Sequence, residues 1–270
     1  MTTRIGLSTS SVYPESTAHG FAYAARLGYD AVEVMVGIDA LSQQTAAVRQ
    51  LSEHHGLPIC AVHAPTLLLT QRVWGTEPWG KLERSAEMAH EVGAGTVVVH
   101  PPFRWQKDYA KGFVEGIAAL EASTGLAFAV ENMYPWRAQV RGRTAGTEMY
   151  LPGWDPSAEE YAHATIDLSH AAIAEDDVVE MAERLGERLH HVHLTDGSGS
   201  AKDEHLVPGR GGMGAARFLR HLAATGFGTA YGGDIVLEIN TRRCADAEER
   251  EADLRESLEF AREHFTVPAT

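Results

Sequence analysis

A chain of 270 residues with 44% hydrophobic residues is long enough for one large α/β domain with a packed core. Its formal net charge of −14 argues against a general nucleic-acid coat, while leaving room for a local basic patch. No apolar run is long enough to cross a bilayer. The N-terminus, MTTRIGLSTS, lacks the charged region and apolar core of a signal peptide, and Cys60 and Cys244 lie too far apart for a metal-spacing pair, so a cytoplasmic protein with two reduced thiols is expected.

Apolar, β-rich runs alternate with helical patterns along the chain. A strand over Arg4–Ser8 precedes a helix over Thr17–Leu27, and a strand over Ala31–Val36 precedes a helix over Ala40–His55. Pro58–His63 and Pro78–Val92, then Thr96–His100 and Asp108–Ser123, repeat the pattern. A strand over Leu126–Glu131 is followed by a long loop, Asn132 to Pro156, and a short helix near Ser157–Ala162. The chain then reads as strand Ala164–Asp167, helix Glu175–Leu185, strand His190–Leu194, helix Ala215–Thr225, strand Asp234–Ile239 and helix Ala247–His264. Gly28, Gly56, Gly93, Gly125 and Gly226 stand where helices end. About eight βα units in this length predict a (β/α)8 TIM barrel, a single domain over residues 1–270. An open, doubly wound sheet is disfavoured because no Gly-rich dinucleotide fingerprint follows the first strand.

In such barrels chemistry sits at the C-terminal ends of the strands. Polar residues gather there: His63 after the third strand, His100 after the fourth, Glu131 after the fifth, and Asp167 with His170 after the sixth. The seventh supplies His193, with Asp203 and His205 in its loop, and the eighth supplies Glu238. Any one of these would be an ordinary hydrogen-bonded structural group. Nine together would be costly to bury uncompensated, and a divalent cation is the simplest compensation. Other histidines read differently. His54 and His55 close a helix, where the dipole favours cations. His19, His90, His221 and His264 fall in helical patterns, His190 faces away from its neighbours, and His191 reads as a barrel-interior group. Glu33, on the second strand, reads as an interior hydrogen-bonding group rather than a ligand.

Trp74, Trp79, Trp105, Trp136 and Trp154 fall in the regions after the third, fourth and fifth strands, with Tyr134, Tyr150 and the arginines Arg72, Arg104, Arg137, Arg141 and Arg143. Two readings stand side by side. The aromatics pack the long loops down, or Trp105, Trp136, Arg104 and Arg137 form an aromatic, locally basic mouth for a sugar face and an anionic group. The turn PGRGGMG (residues 208–214) likewise reads as a tight structural turn or as a source of N–H groups for an anion.

The strand-end motifs VHAP, VVHPP, VEN, IDLSH, HVHLTDG, DEH and LEIN together resemble the xylose-isomerase-like barrel superfamily, over essentially the whole chain. That superfamily holds sugar isomerases and epimerases together with the endonuclease IV type of apurinic endonuclease. Resemblance to the epimerases implies one divalent metal ion (Mn, Mg, Co or Zn) held by Glu131, Asp167, His193 and Glu238. It implies a cis-enediolate route on a sugar or sugar phosphate, with Glu131 and Glu238 as the acid/base pair. His63, His100, His170, Asp203 and His205 are then additional metal or substrate-binding groups. Resemblance to the endonucleases implies instead a three-zinc cluster using all nine residues on abasic DNA. GLSTSSVYP lacks the Gly-x-His-Val-Ser pattern of those enzymes, and VMVGIDAL lacks their Asn-, Arg- and Trp-containing segment. TDGSGS lacks the substrate-binding arginine of the ketose 3-epimerases, so no particular sugar is named. A related lyase or dehydratase would use the same enediolate, and a non-catalytic sugar-binding barrel would bind its ligand without turnover. Barrels of this superfamily often pair, which implies a homo-oligomer.

Overall fold

Runs of Val, Ile and Ala set between glycine-terminated helices become short strands buried on both faces, as parallel strands flanked by helices must be. In the computed structural model the described residues are 3–140 and 143–266, with the side chains of 137–140 and 143–146 outside the description. Ten strands occur among them: β1 (Ile5–Ser8), β2 (Ala31–Met35), β3 (Ile59–His63), β4 (Thr96–Val99), β5 (Ala127–Glu131), β6 (Trp136–Val140), β7 (Arg143–Thr147), β8 (Ala164–Asp167), β9 (Leu189–Leu194) and β10 (Asp234–Leu237). Eight of these, all parallel, close into a barrel in the order β1-β2-β3-β4-β5-β8-β9-β10, with β10 returning to β1. Strands β6 and β7 form a separate antiparallel hairpin inside the long loop.

The helices that wrap the barrel are α1 (Thr17–Leu27), α2 (Thr45–His55), α3 (Pro78–Val92), α4 (Lys107–Lys111), α5 (Phe113–Thr124), α6 (Leu168–Ala174), α7 (Val178–Leu185), α8 (Ala215–Thr225) and α9 (Ala247–His264). The five glycines expected to end helices all adopt the left-handed conformation. Among the described residues no helix is long and apolar enough to cross a membrane.

Alternation along the strands sorts side chains between two cores. Val32, Val34, Val62, Val97, Val99, Ile235 and Leu237 join the large cluster shared with the helices. Their neighbours Ala31, Ala61, Val98 and Val236, with Cys60, form a small separate cluster inside the barrel. A Cβ at Gly6 would lie 3.3 Å from both Cys60 Sγ and Val236 Cγ2, so the interior is already full at this level.

Six sequence expectations shift: the loop expected from Asn132 to Pro156 carries the β6–β7 hairpin, the helix expected from Glu175 begins at Val178, and four more follow. The helix expected from Ala40 begins at Thr45, because 40–44 is a turn. The one expected over Asp108–Ser123 breaks at Gly112 into α4 and α5, at the residue with the weakest helix preference after proline. A helix missed in the sequence, α6, starts directly after β8. Asp167 ends that strand and caps the helix, accepting the His170 N–H at 2.8 Å. The short helix near Ser157 is a single 3-10 turn, Pro156–Ala158, capped by Asp155.

Candidate metal centre

Every barrel strand ends at the same face, and the polar residues that terminate the apolar runs converge there. Glu131, Asp167, His193 and Glu238 bring four ligand-capable atoms within 4.8 Å of one another, all buried. His193 Nδ1 lies 3.1 Å from Glu131 Oε1, 3.0 Å from Glu238 Oε2 and 3.8 Å from Asp167 Oδ2. The five further histidine and aspartate residues surround this group. His63 and His100 approach Glu131 Oε2 at 3.3 and 2.9 Å. His170 Nε2 and His205 Nε2 lie 3.3 and 3.0 Å from the two oxygens of Asp203. All nine residues are thus brought together.

The imidazoles are oriented by groups that can only accept. His63 Nδ1 faces the Ala64 carbonyl at 3.2 Å, His170 Nδ1 the Asn132 carbonyl at 2.9 Å, and His205 Nδ1 the Glu238 carbonyl at 2.7 Å. Each Nδ1 therefore carries hydrogen; Nε2 of His63 turns to Glu131, and Nε2 of His170 and His205 turn to Asp203. His193 is reversed: its Nε2 faces both oxygens of Glu33 at 3.1 and 3.2 Å, and its Nδ1 points inward. His191 Nε2 reaches the same Glu33 at 3.2 Å. Glu33, His191 and His193 also bring three ligand-capable atoms within 4.8 Å of one another, so Glu33 is placed both to hydrogen-bond in the interior and to ligate.

Electrostatics follow from burial opposed by opposite charges. Burial drives the Glu131 carboxyl up, but the His193 and His100 imidazoles outweigh it and hold it well below the usual carboxylate range. The same opposition, with His193 as the main partner, holds Glu238 down. Burial would neutralise His193, yet Glu238, Glu33 and Glu131 raise it well above an ordinary histidine. His205 is likewise raised to about 10, against burial, by Asp203 and Asp167. Asp167 is the exception, pushed up by burial, and its Oδ2 is buried with no hydrogen-bond partner. An orphaned carboxylate oxygen aimed among three other ligand-type groups is what a cation site leaves behind. The donor set of three carboxylates and an imidazole fits a hard or borderline divalent ion.

Several residues that carry no signal in the sequence build this geometry. Asn132 clamps β5 to β8, accepting the Asp167 N–H at 2.6 Å and donating to its carbonyl at 3.0 Å. Ser169 donates to Asp203 at 2.8 Å and accepts the N–H groups of Glu204 and His205. Ser10 donates to Glu238 Oε1 at 2.8 Å. His205 sits at φ 44, a left-handed conformation rare for a non-glycine residue. Its backbone is held there by Ser169.

The turn after β9 is a structural device. Its Gly209 and Met213 N–H groups donate to the buried Asp196 carboxylate at 2.9 and 3.1 Å, and Gly212 N–H to the Gly197 carbonyl at 2.8 Å. A Cβ at Gly211 would fall 2.4 Å from Asp196 Oδ1. The chain therefore supplies its own anion to this turn. The tryptophans divide. Trp79 lies in α3 and packs edge-on against Tyr109, Trp74 and Trp154 are partly buried, and only Trp105 and Trp136 are substantially exposed. Trp105 stacks on Phe103 at 4.6 Å and meets Trp136 edge-on at 6.2 Å. Arg104 is exposed beside them and donates to the Glu148 carbonyl at 3.4 Å. The side chains of Arg137 and Arg143, and all of Arg141, lie outside the described residues.

Comparison with known proteins agrees with this architecture. The family described as xylose isomerase-like TIM barrel matches residues 21–264. An uncharacterized protein of Mycobacterium tuberculosis is 49% identical over 277 residues, covering 97% of this chain and 98% of the relative. Fructoselysine 3-epimerase of Escherichia coli O157:H7 is 22% identical over 228 residues, covering 77% and 82%. The solved structure of a 3-keto-D-glucoside 4-epimerase from E. coli superposes with a TM-score of 0.68 at 19% identity, covering 97% of this chain and 99% of that one.

Proposed function

The chain belongs to the xylose isomerase-like TIM barrel family, and from that premise we propose that it is a divalent-metal-dependent sugar isomerase or epimerase. The observation that carries this reading is the buried quartet Glu131, Asp167, His193 and Glu238, which offers four ligand atoms around one point. The distant likeness to fructoselysine 3-epimerase supports it. These four residues would hold a divalent cation, which would supply Lewis-acid polarisation to acidify a C–H beside a sugar carbonyl.

Proton transfer falls to the two glutamates. Both are held in the ionised form by His193, so either can accept a proton from carbon. They approach His193 Nδ1 from β5 and from the end of β10, from different sides of the barrel. Removal of a proton by one carboxylate and return by the other inverts the carbon, giving an epimer. Return to the neighbouring carbon instead gives the aldose–ketose isomer. His170 and His205 hold Asp203 beside this centre, where all three can bind hydroxyl groups of the substrate.

The test combines metal analysis with isotope exchange. Protein purified without chelator and reloaded with Mn2+, Mg2+, Co2+ or Zn2+ is incubated in D2O with a panel of ketoses and aldoses. About one ion per chain, and deuterium entering one carbon of one sugar, are the expected results. Absence of exchange with every metal overturns the reading.

One observation favours a second reading. His63 with Glu131 and His193, and Asp167 with His170 and His205, also form ligand-capable groups flanking the quartet. Three zinc ions per chain, with incision of an abasic-site duplex, would replace the isomerase by a phosphodiesterase.

A further inference from the structure

Among the described residues the exposed large hydrophobic side chains are Tyr13, Ile38, Leu68, Leu69, Trp105 and Trp136. All six lie in the segments that follow β1, β2, β3, β4 and β5, at the face that carries the candidate centre. None lies on helices α1 to α9. Single exposed hydrophobics scattered over a surface need no explanation, but a set gathered around one mouth does.

Half of this set lines a single cleft. The cleft has a volume of about 670 Å3 and runs between the segments after β1, β2 and β3 to Glu238. That volume is in the range of roughly 300–1,000 Å3 typical of organic-ligand sites. Its inner end is polar, where Ser10 donates to Glu238. Its outer end carries Tyr13, Ile38 and Leu69, which are 42, 64 and 86% exposed. The charged residues along it are Glu15, Asp39, Glu238 and Arg242. Glu15 pairs with Arg250, and Asp39 accepts the N–H groups of Thr17 and Leu41 at 2.7 and 3.1 Å. Arg242 lies over the Tyr13 ring, 5.5 Å from its centre. With Glu15 paired to Arg250 and Glu238 assigned to the centre, Asp39 and Arg242 are left as one charge of each sign, so the lining offers no excess positive charge to a phosphate or carboxylate.

We propose that the substrate is a sugar carrying an uncharged apolar substituent, such as an alkyl or aryl group, rather than a free sugar or a sugar phosphate. The sugar end meets Glu238, and the substituent lies along Tyr13, Ile38 and Leu69. Continuity of the cleft with Glu238 favours a substrate over a macromolecular partner. This inference rests on the isomerase or epimerase reading of the same centre.

The experiment is calorimetric titration of the metal-loaded chain with 6-O-methyl, 6-O-butyl and 6-O-hexyl D-fructose, ketoses that keep the carbonyl, below their micelle concentrations. Affinity is expected to rise roughly fourfold per added methylene, as full burial of each group in an apolar site requires. The double substitution Ile38→Ser, Leu69→Ser is expected to flatten that slope. A flat series in the unsubstituted chain overturns the proposal, and so does a slope that the double substitution leaves intact. Metal content and deuterium exchange are read on the same preparation. A flat series beside one bound ion and normal exchange removes only the apolar substituent. A preserved slope without metal or exchange removes the isomerase reading and leaves the apolar cleft.

Discussion

Glu33 on β2 and His193 on β9 face each other across the barrel interior, with His193 Nε2 3.1 and 3.2 Å from the two oxygens of a fully buried carboxylate. Because a carboxylate accepts and does not donate, this contact fixes the proton on Nε2 and leaves Nδ1 to the centre. Glu33→Ala should therefore lower divalent-metal affinity about 10- to 100-fold. Glu33→Gln keeps an acceptor and should lower it less. Competition with a chelator measures both, and circular dichroism confirms that the barrel persists. Equal affinities in all three chains would remove the positioning role.

The proton-transfer assignment predicts parallel losses at two positions far apart in sequence. Glu131→Gln and Glu238→Gln should each reduce turnover by at least about 10²- to 10⁴-fold, the usual contribution of a positioned acid or base. Exchange of the substrate proton with D2O separates the steps. A variant that still exchanges but no longer forms product has lost only the returning acid. Normal turnover in either variant would end the assignment.

Asp196 neutralises the turn that carries Asp203 and His205 into place. Its carboxylate accepts the N–H groups of Gly197, Gly209 and Met213 and is almost completely buried. Asp196→Ala leaves three donors without this partner and should cost about 3 kcal/mol in a urea titration. Metal affinity should fall with it, because Asp196 N–H and carbonyl also pair with Leu206, next to His205. A stability loss below about 0.5 kcal/mol would mean that solvent replaces the carboxylate.

At the opposite end of the barrel, burial and the neighbouring His163 push His190 down to about 4. The unfolded chain holds that proton up to about pH 6.5, so between these values it binds more protons than the folded chain. His190 thus leaves stability untouched above pH 6.5 and subtracts from it progressively as pH falls toward 4, by about 2–3 kcal/mol in full. His190→Gln should remove this part of the acid sensitivity. Urea midpoints of the two chains should diverge as pH drops from 7 to 4.5, and parallel profiles would contradict the assignment.

Much of this was legible in the amino-acid order because barrel strands are short apolar runs that end abruptly in a polar residue. Val62 to His63, Val130 to Glu131 and Ile166 to Asp167 mark both the strand and the centre in one step. The orienting groups were not legible. Asn132 follows the end of β5, Ser169 lies in the first turn of α6 and Ser10 lies in the 3-10 turn after β1, places where caps and turns use the same small polar residue types. Their partners lie 35, 34 and 228 residues away, so no local pattern reports them. The β6–β7 hairpin was hidden for another reason: WRAQV alternates apolar and polar residues, but its partner RTAGT does not, so the pair of strands a hairpin needs is not signalled. Trp79 shares its residue type with the mouth, but Pro78 starts a helix there and turns the ring toward Tyr109.

The contact between Glu33 and His193 joins residues 160 positions apart, and the nine groups of the centre come from six strands and their loops. No short contiguous fragment of the chain contains the centre, whose residues run from His63 to Glu238, so it comes into being only when distant strands meet. Any ion that binds there binds the native state and not the open chain, and it adds RT ln(1 + [M]/Kd) to the free energy of unfolding. An ion held there would act as a clasp on barrel closure, and its removal should first be felt as opening between distant strands.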